Sequence, residues 1–205
     1  MNKKQLLTIG YSTLAEREQN IKFLNSVENL VIVQGAQGSK LGKPSHNFFR
    51  IELNNSGVTK SRNAAIDNTK TPYLLFGDDD VIFNEQSVAT AVEFLEANQE
   101  ISVVLMQAVD EEGRLRKKYP AREHDLKLTN SAKAATYEMM IRVQDFKKSG
   151  IRFDENFGAG AKNYLGDEYI LIADALRAGL KGRFLPINIA MHLSLIHISE
   201  PTRPY

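Results

Sequence analysis

Three consecutive aspartates, Asp78, Asp79 and Asp80, directly follow the short apolar run Tyr73-Leu74-Leu75-Phe76-Gly77. An apolar run of this length predicts a buried strand, so the carboxylates lie at the carboxyl edge of a sheet, where open α/β folds bind ligands. Like charges this close repel, and three outcomes are open: the cluster is well solvated, one pKa rises, or a cation binds. Oxygen ligands suit Mg²⁺ or Mn²⁺, which take further ligands from substrate phosphates. The aspartates therefore favour a divalent-metal site for a nucleoside diphosphate compound.

A structural role is the alternative for the same segment. Val88, Val92 and Leu95 share one face of a predicted helix that begins shortly after the aspartates. Asp and Asn are common helix N-caps, so Asp80 or Asn84 could cap that helix. In that interpretation the segment is a turn that needs no metal.

The elements around the aspartates alternate between strands and helices. Strands are predicted at residues 6–9, 30–33, 48–53, 73–77, 101–109 and near 134–143, and helices at 14–26, 58–68, around 88–95, just before 150 and at 166–178. This alternation predicts a single α/β domain with a mostly parallel central sheet and helices on both faces.

The composition limits the classes of partner. The chain has 205 residues, no cysteine and a formal net charge of +1. The lack of cysteine excludes disulfides and thiolate metal sites and is typical of a reducing cytosol, and the near-neutral charge gives no overall attraction to nucleic acid. The first residues lead straight into a strand, and no apolar run is long enough to span a bilayer. We therefore expect a cytoplasmic protein without a nucleic-acid partner.

A basic stretch without periodicity follows the strand at 101–109. It consists of Arg114, Arg116, Lys117, Lys118 and Arg122. It is either a solvated loop without a partner or a surface that contacts phosphate or anionic lipid. The second interpretation would place the protein peripherally at the inner, cytoplasmic face of the membrane.

Four segments carry a resemblance to a known family. They are residues 57–65 (GVTKSRNAA), 72–80 (PYLLFGDDD), 153–158 (FDENFG) and 166–168 (GDE). Each is weak alone, but in this order they resemble the motifs of family 2 glycosyltransferases over nearly all of residues 5–192. The resemblance implies the Rossmann-like glycosyltransferase A fold, with a catalytic domain at residues 1–192.

The end of the chain has a different resemblance. Residues 193–203 resemble the translation of a sequencing-library adaptor. We therefore expect residues 193–205 to be a non-native, adaptor-derived tail, which would leave the catalytic domain incomplete at its C-terminus. A genuine terminal strand of alternating Leu, Ile and His is the alternative.

The resemblance implies roles for the acidic cluster. Asp80 binds Mn²⁺ or Mg²⁺ directly, Asp78 holds the nucleotide ribose or a metal-bound water, and Asp79 lies beside them at the nucleotide. A metal that bridges the two phosphates neutralises the charge on the departing nucleoside diphosphate. His192 precedes a His-containing loop and can approach the metal, although a lone histidine is more often structural.

The resemblance also implies nucleotide contacts from two other segments. Arg62 and Asn63 stand where the family places side chains near the nucleotide and the diphosphate. Outside that motif, Arg62 would be an exposed helix charge. Gly10 and Tyr11 fall in the sequence IGYS, which replaces a Pro-Thr-Tyr-Asn type sequence at the end of the family's first strand.

Asp167 and Glu168 stand where the family has a Glu-Asp pair at the start of a late helix, so the order of the pair is reversed. The resemblance implies a general base here, which takes the proton as the acceptor hydroxyl attacks the anomeric carbon. Glu168 occupies the base position and Asp167 is the second candidate. Direct displacement of this kind inverts the anomeric configuration. The structural alternative is that both residues stabilise the first helical turn through the macrodipole.

The donor and acceptor follow from the same resemblance. Gln34 and Gln37 lie where the family has an acidic pair that reads uracil, and either amide can hydrogen-bond a base edge. A UDP-sugar is therefore preferred over guanosine or thymidine nucleotides as the donor. The acceptor is a hydroxyl of a glycan or a lipid-linked molecule, and by analogy the setting is bacterial surface polysaccharide synthesis.

Two other functions stay open. A sugar-phosphate nucleotidyltransferase also uses a metal and a Rossmann-like sheet, but it would want a glycine-rich, basic loop after the first strand, which Gly10 to Leu14 do not supply. A non-catalytic nucleotide-sugar binding domain would keep Asp80 but could dispense with Glu168.

Overall fold

The computed structural model describes residues 5–35 and 47–193. Its strands are β1 (Leu7–Leu14), β2 (Glu28–Gln34), β3 (Phe48–Leu53), β4 (Tyr73–Asp78), β5 (Val81–Phe83), β6 (Ile101–Val109), β7 (His124–Asp125), β8 (Met139–Arg142) and β9 (Lys181–His192). They form one sheet in the order β3-β2-β1-β4-β8-β6-β9-β5, and β7 pairs with β9. The expected tail beyond Leu193 and the predicted base reader Gln37 lie outside the described residues.

The sheet is mostly parallel, which confirms the predicted class. β1 lies between β2 and β4 and is parallel to both, β3 is parallel to β2, and β6 is parallel to β9. The short strands β5, β7 and β8 add antiparallel pairs. Because β1, β2 and β4 run side by side in one direction, their carboxyl ends meet at a single edge of the sheet.

Helices cover both faces of the sheet, as the alternation of elements predicts. The helices are α1 (Val58–Asn68), α2 (Glu85–Ala97), α3 (Val143–Ser149) and α4 (Asp167–Arg177). On one face Val88 and Leu95 of α2 pack in the same cluster as Leu75 of β4. On the other face Leu74 and Phe76 of β4 pack with buried side chains of α1, α3 and α4. The apolar run of β4 is therefore continuous because both of its faces are buried.

The helix predicted at residues 14–26 is wrong. Strand β1 continues to Leu14, since Tyr11 to Thr13 extend the parallel ladders to its neighbours, and only a short 3-10 turn forms at Glu18–Asn20. Glu18 is 1% exposed and its Oε1 lies 2.6 Å from Nε of Arg50 in β3. This buried ion pair and the ladder contacts outweigh the helical spacing of the apolar residues.

Two other elements differ from the prediction in detail. The strand predicted near residues 134–143 spans only β8, because the 3-10 turn Thr136–Glu138 precedes it. Helix α2 is capped by Asn84, whose side chain accepts a 2.9 Å hydrogen bond from Ser87 N. The capping role therefore falls to Asn84 and leaves the carboxylate of Asp80 at the sheet edge.

No helix of the described ranges combines the length and apolarity needed to cross a bilayer.

Candidate active site

A cavity of about 570 Å³ opens at the carboxyl ends of β1, β2 and β4. The starts of α1 and α4 and the end of β9 close its other sides. Eight of the predicted site residues line it: Gln34, Arg62, Asp78, Asp79, Asp80, Asp167, Glu168 and His192. Segments far apart in the chain thus converge at the sheet edge that the aspartates predict.

Asp79 is the most buried of the three aspartates and is held by a hydroxyl and a cation, whereas the side chains of Asp78 and Asp80 are partly exposed. Asp79 is 7% exposed and accepts a 2.6 Å hydrogen bond from the Thr13 hydroxyl as well as one from Arg17. Burial raises the pKa of Asp78 to about 6; Arg62 opposes this rise, and the neighbouring Asp80 adds to it. Burial also raises the pKa of Asp79. Of the three outcomes that the sequence leaves open, burial favours a raised pKa for Asp78 and Asp79.

Asp80 and His192 form the part of the cavity that suits a metal ion. Strand β5 pairs with the end of β9, which brings Asp80 Oδ1 to 3.7 Å from His192 Nε2. Burial lowers the pKa of His192 although Asp80 opposes the shift, and neutral imidazole is the form that binds metals. His192 Nδ1 is buried without a hydrogen-bond partner among the described residues. Asp80 and His192 are the side chains that could hold a divalent ion here, and no group of three or more such side chains is gathered within the described ranges.

Arg62 connects the aspartates to the acidic pair of α4. Its Nη1 lies 2.5 Å from Asp167 Oδ2 and 3.5 Å from Glu168 Oε1, and its Nη2 lies 3.8 Å from Asp78 Oδ1. The arginine lies in the second turn of α1, lines the cavity and is 7% exposed. One guanidinium therefore balances the charge of three carboxylates from two sides of the cavity.

The surroundings of the two acidic residues shift their pKa values in opposite directions. Burial raises the pKa of Asp167 against the effect of Arg62. Burial alone would raise the pKa of Glu168 too, but Arg62 and the Thr136 hydroxyl outweigh it and lower that pKa below the ordinary glutamate value. Glu168 therefore faces the cavity as a carboxylate, with its side chain 21% exposed.

Three predicted nucleotide-binding residues have other contacts in the structure. Tyr11 is fully buried, with its ring 5.6 Å from that of Phe23, and Gly10 lies below it in β1; neither lines the cavity. Asn63 also lies away from the cavity, where its amide accepts from Phe153 N at 2.8 Å and donates to Phe153 O at 3.0 Å. Gly10 and Tyr11 lie inside the core because β1 is longer than predicted.

Gln34 lines the cavity together with Thr13 and Arg17, two residues that the sequence analysis did not single out. Gln34 lines the cavity, but its amide nitrogen donates to Gly57 O at 3.0 Å. Thr13 and Arg17 reach the cavity from the end of β1 and the following turn, and both contact Asp79. Ser12 to Arg17 follow the apolar residues of β1, which runs beside β4. This position is the signal that could have identified Thr13 and Arg17.

The loop before α4 forms the outer rim of the cavity. Tyr164 and Leu165 line it and are 71% and 76% exposed. Gly158 has a φ of 92°, and a Cβ there would lie 3.0 Å from Asp167 Oδ2. The loop therefore approaches the acidic pair closely only because residue 158 has no side chain.

The overall architecture is similar to that of S. aureus TarS. The crystal structure of TarS 1-349 in complex with UDP has a TM-score of 0.64 and 16% identity, over 91% of this chain and 60% of that one. The complex with UDP-GlcNAc has a TM-score of 0.64 and 14% identity, over 92% of this chain and 58% of that one. At these identities the likeness is one of fold, and the chain spans about 60% of the length of those structures.

The mostly parallel sheet, with an acidic cluster at its central edge, defines a glycosyltransferase A fold. Residues 37–158, more than half of the chain, match Glycosyl transferase family 2. The chain belongs to that family, which confirms the resemblance of the sequence motifs. No curated protein sequence matches the chain.

Proposed function

We propose that this domain transfers a sugar from a nucleoside diphosphate sugar, with UDP-sugar as the preferred donor, to a hydroxyl of a glycan or lipid-linked acceptor. The observation that carries the proposal is the placement of two different acidic groups in one cavity. Asp80 lies beside His192, Glu168 lines the same cavity, and Arg62 contacts both Glu168 and Asp78 of the acidic cluster. The UDP and UDP-GlcNAc complexes of TarS, a protein of similar fold, support the choice of donor.

The first group would hold the diphosphate end of the donor. Asp80 and His192 would bind Mn²⁺ or Mg²⁺, with Asp78 at the ribose or a metal-bound water. A bound ion of this kind would neutralise charge on the leaving nucleoside diphosphate. Arg17 lies beside the same carboxylates and is 37% exposed on its side chain, so it can contact phosphate oxygens from the open side of the cavity.

The second group would carry out the proton transfer. As the acceptor oxygen forms its bond to the anomeric carbon, the bond from that carbon to the diphosphate oxygen breaks, and the hydroxyl proton passes to Glu168. A single displacement of this kind inverts the anomeric configuration. Asp167 is buried against Arg62 and would orient it rather than accept the proton.

The setting of the reaction is part of the proposal. We place it in bacterial surface polysaccharide synthesis, at the cytoplasmic face of the membrane. The basic stretch is only partly available for lipid, because Arg114 contacts Asp110 and Glu112 and Lys117 lies 2.7 Å from Glu138. A membrane contact would therefore depend on Lys118 and Arg122.

Substitution of one residue in each group tests the mechanism. Asp80→Ala and Glu168→Gln should each reduce turnover of labelled nucleotide sugars by at least about 100-fold, since each removes a charge used at the transition state. Asp174→Asn, an exposed carboxylate on the same helix as Glu168, is the matched control and should keep full activity. Of the two substitutions in the site, only Glu168→Gln should retain donor binding.

The same experiment separates the rival functions. Full turnover by Glu168→Gln would remove the base assignment. A nucleotidyltransferase would instead release pyrophosphate from a nucleoside triphosphate and a sugar phosphate, and a binding domain would show donor affinity without turnover in any variant.

A further inference from the structure

The 3-10 turn Thr136–Glu138 lies directly behind the candidate base. Its three consecutive side chains contact three different groups. The Thr136 hydroxyl contacts Glu168, the ring of Tyr137 lies 5.1 Å from that of His192, and Glu138 turns away from the cavity. The turn thus contacts both Glu168 and His192. None of its own residues belongs to a motif that the sequence analysis singled out.

The contact between Thr136 and Glu168 is short and buried. Thr136 Oγ1 lies 2.6 Å from Glu168 Oε1, and Thr136 is 2% exposed. Because an ionised carboxylate only accepts hydrogen bonds, the hydroxyl must be the donor. Hydrogen bonds of this charge-assisted kind are about twice as strong as neutral ones.

Glu138 fixes the turn that carries the hydroxyl. It is 2% exposed and accepts from Lys117 Nζ at 2.7 Å, from the Tyr119 hydroxyl at 2.5 Å and from Ala135 N at 3.3 Å. Three hydrogen bonds from half-buried donors fix the position of the Glu138 side chain. The hydroxyl of Thr136 is therefore presented to Glu168 from a rigid support.

We propose that Thr136 is a positioning residue for Glu168: its hydroxyl holds the carboxylate in one rotamer, as the ionised base, facing the acceptor side of the cavity. The inference rests on the proposed function, in which Glu168 is the base. Thr136 itself does not line the cavity.

The physical consequence is a change in the ionisation of Glu168. Three charged groups face this carboxylate: Arg62 from α1, Asp167 from α4 and Asp78 from β4. Arg62 and the Thr136 hydroxyl both lower the pKa of Glu168, and Thr136 is the neutral group of the two. Burial raises the pKa of Glu168, and Arg62 and the hydroxyl lower it. If the hydroxyl is removed, the lowering effect is weaker, so the pKa of Glu168 would rise.

Substitutions of Thr136 test this in the full chain. Thr136→Val removes the hydroxyl with little change in shape, Thr136→Ser keeps it, and Thr69→Val is the matched control. Thr69 is 1% exposed and donates a 2.7 Å hydrogen bond to Ala65 O, away from the cavity. The pKa of Glu168 is measured by carbon-13 NMR titration of its carboxyl carbon, with Glu168→Gln used to assign the signal.

A role in positioning predicts a specific set of results. Thr136→Val should raise the pKa of Glu168 by about one unit and lower kcat for UDP-GlcNAc hydrolysis about ten-fold, with KM unchanged. The acid limb of the pH profile should move upward with it. Thr136→Ser should restore both, and Thr69→Val should change neither. If Thr136→Val does not fold, Thr136→Ala replaces it in the same measurements.

The two hypotheses fail in different ways. If the pKa of Glu168 and kcat are the same in Thr136→Val as in the parent, the positioning role is overturned, whatever Glu168 does. If the pKa rises but Glu168→Gln keeps full turnover, the base assignment is wrong and the inference falls with the proposed function.

Discussion

Arg62 is the residue on which the charge balance of the cavity depends. It is largely buried and contacts Asp167, Glu168 and Asp78. A guanidinium suits this position because its planar array of donors can serve several carboxylates at once. Without it, Asp167 would be a buried carboxyl with its principal opposing charge removed.

Removal of the Arg62 side chain should therefore reduce stability strongly. Loss of one partner of a buried ion pair costs about 3–5 kcal/mol, because the other charge is left uncompensated. We expect Arg62→Ala to lower the free energy of unfolding by about that amount, measured by urea denaturation. Arg62→Lys should recover only part of it, since one ammonium cannot reach the same set of oxygens.

Arg152→Ala is the control for this measurement. Arg152 contacts Asp67 at 2.7 Å, but both side chains are far more exposed, and pairs of this kind contribute about 0–1 kcal/mol. Equal losses in Arg62→Ala and Arg152→Ala would contradict the central role of Arg62.

At the residue scale, the sequence could predict those parts of the site whose positions depend on the adjacent strand or helix. The aspartates end an apolar strand, and Asp167 and Glu168 begin a helix, so their positions follow from the neighbouring elements. The position of Tyr11 depended instead on how far β1 extends. That length is set by pairing with β2 and β4, which no local pattern in residues 9–14 reveals.

At the element scale, the loop before α4 is the feature that most constrains the site. Gly158, with its positive φ, lies against Asp167 at the start of the helix and against Thr59 of α1. Val58 N also donates a 3.0 Å hydrogen bond to Ala159 O, which ties the loop to the start of α1. The loop thereby joins the two helices that carry Arg62 and Glu168.

Gly158→Ala should therefore disturb both stability and the site. A left-handed conformation costs an alanine about 1–2 kcal/mol. The new Cβ would also lie 3.0 Å from Asp167 Oδ2 and 3.1 Å from Thr59 Cγ2, so both neighbours must move. We expect a loss in the free energy of unfolding larger than this backbone cost and a fall in nucleotide-sugar turnover.

Gly113→Ala separates the backbone cost from the contact. Gly113 has a φ of 78°, and no described atom lies within 4 Å of an added Cβ. This variant should show the backbone cost alone and keep its activity. If Gly158→Ala loses no more stability than Gly113→Ala, the close approach of the loop to Asp167 is not a constraint.

At the scale of the whole molecule, pairing between strands that are distant in the chain brings His192 to the aspartates. β9 lies far from β4 in the chain, but β5 follows the acidic cluster and pairs with the end of β9, so Val81 lies opposite His192. The alternation of elements predicts a mostly parallel sheet with helices on both faces, but not the order of its strands. It does not predict strand pairings such as this one, because they depend on contacts between distant segments.

A ligand that contacts both the aspartates after β4 and His192 at the end of β9 should stabilise the whole fold. A ligand at 100 times its dissociation constant adds about 2.7 kcal/mol to the free energy of unfolding, which raises the Tm of a domain of this size by about 5–10 °C. We expect UDP with Mn²⁺ to do so and either component alone to do much less. Asp80→Ala should abolish the shift, whereas Asp174→Asn should keep it. A Tm that no combination of nucleoside diphosphate and Mn²⁺ or Mg²⁺ changes would refute the proposed metal and donor site.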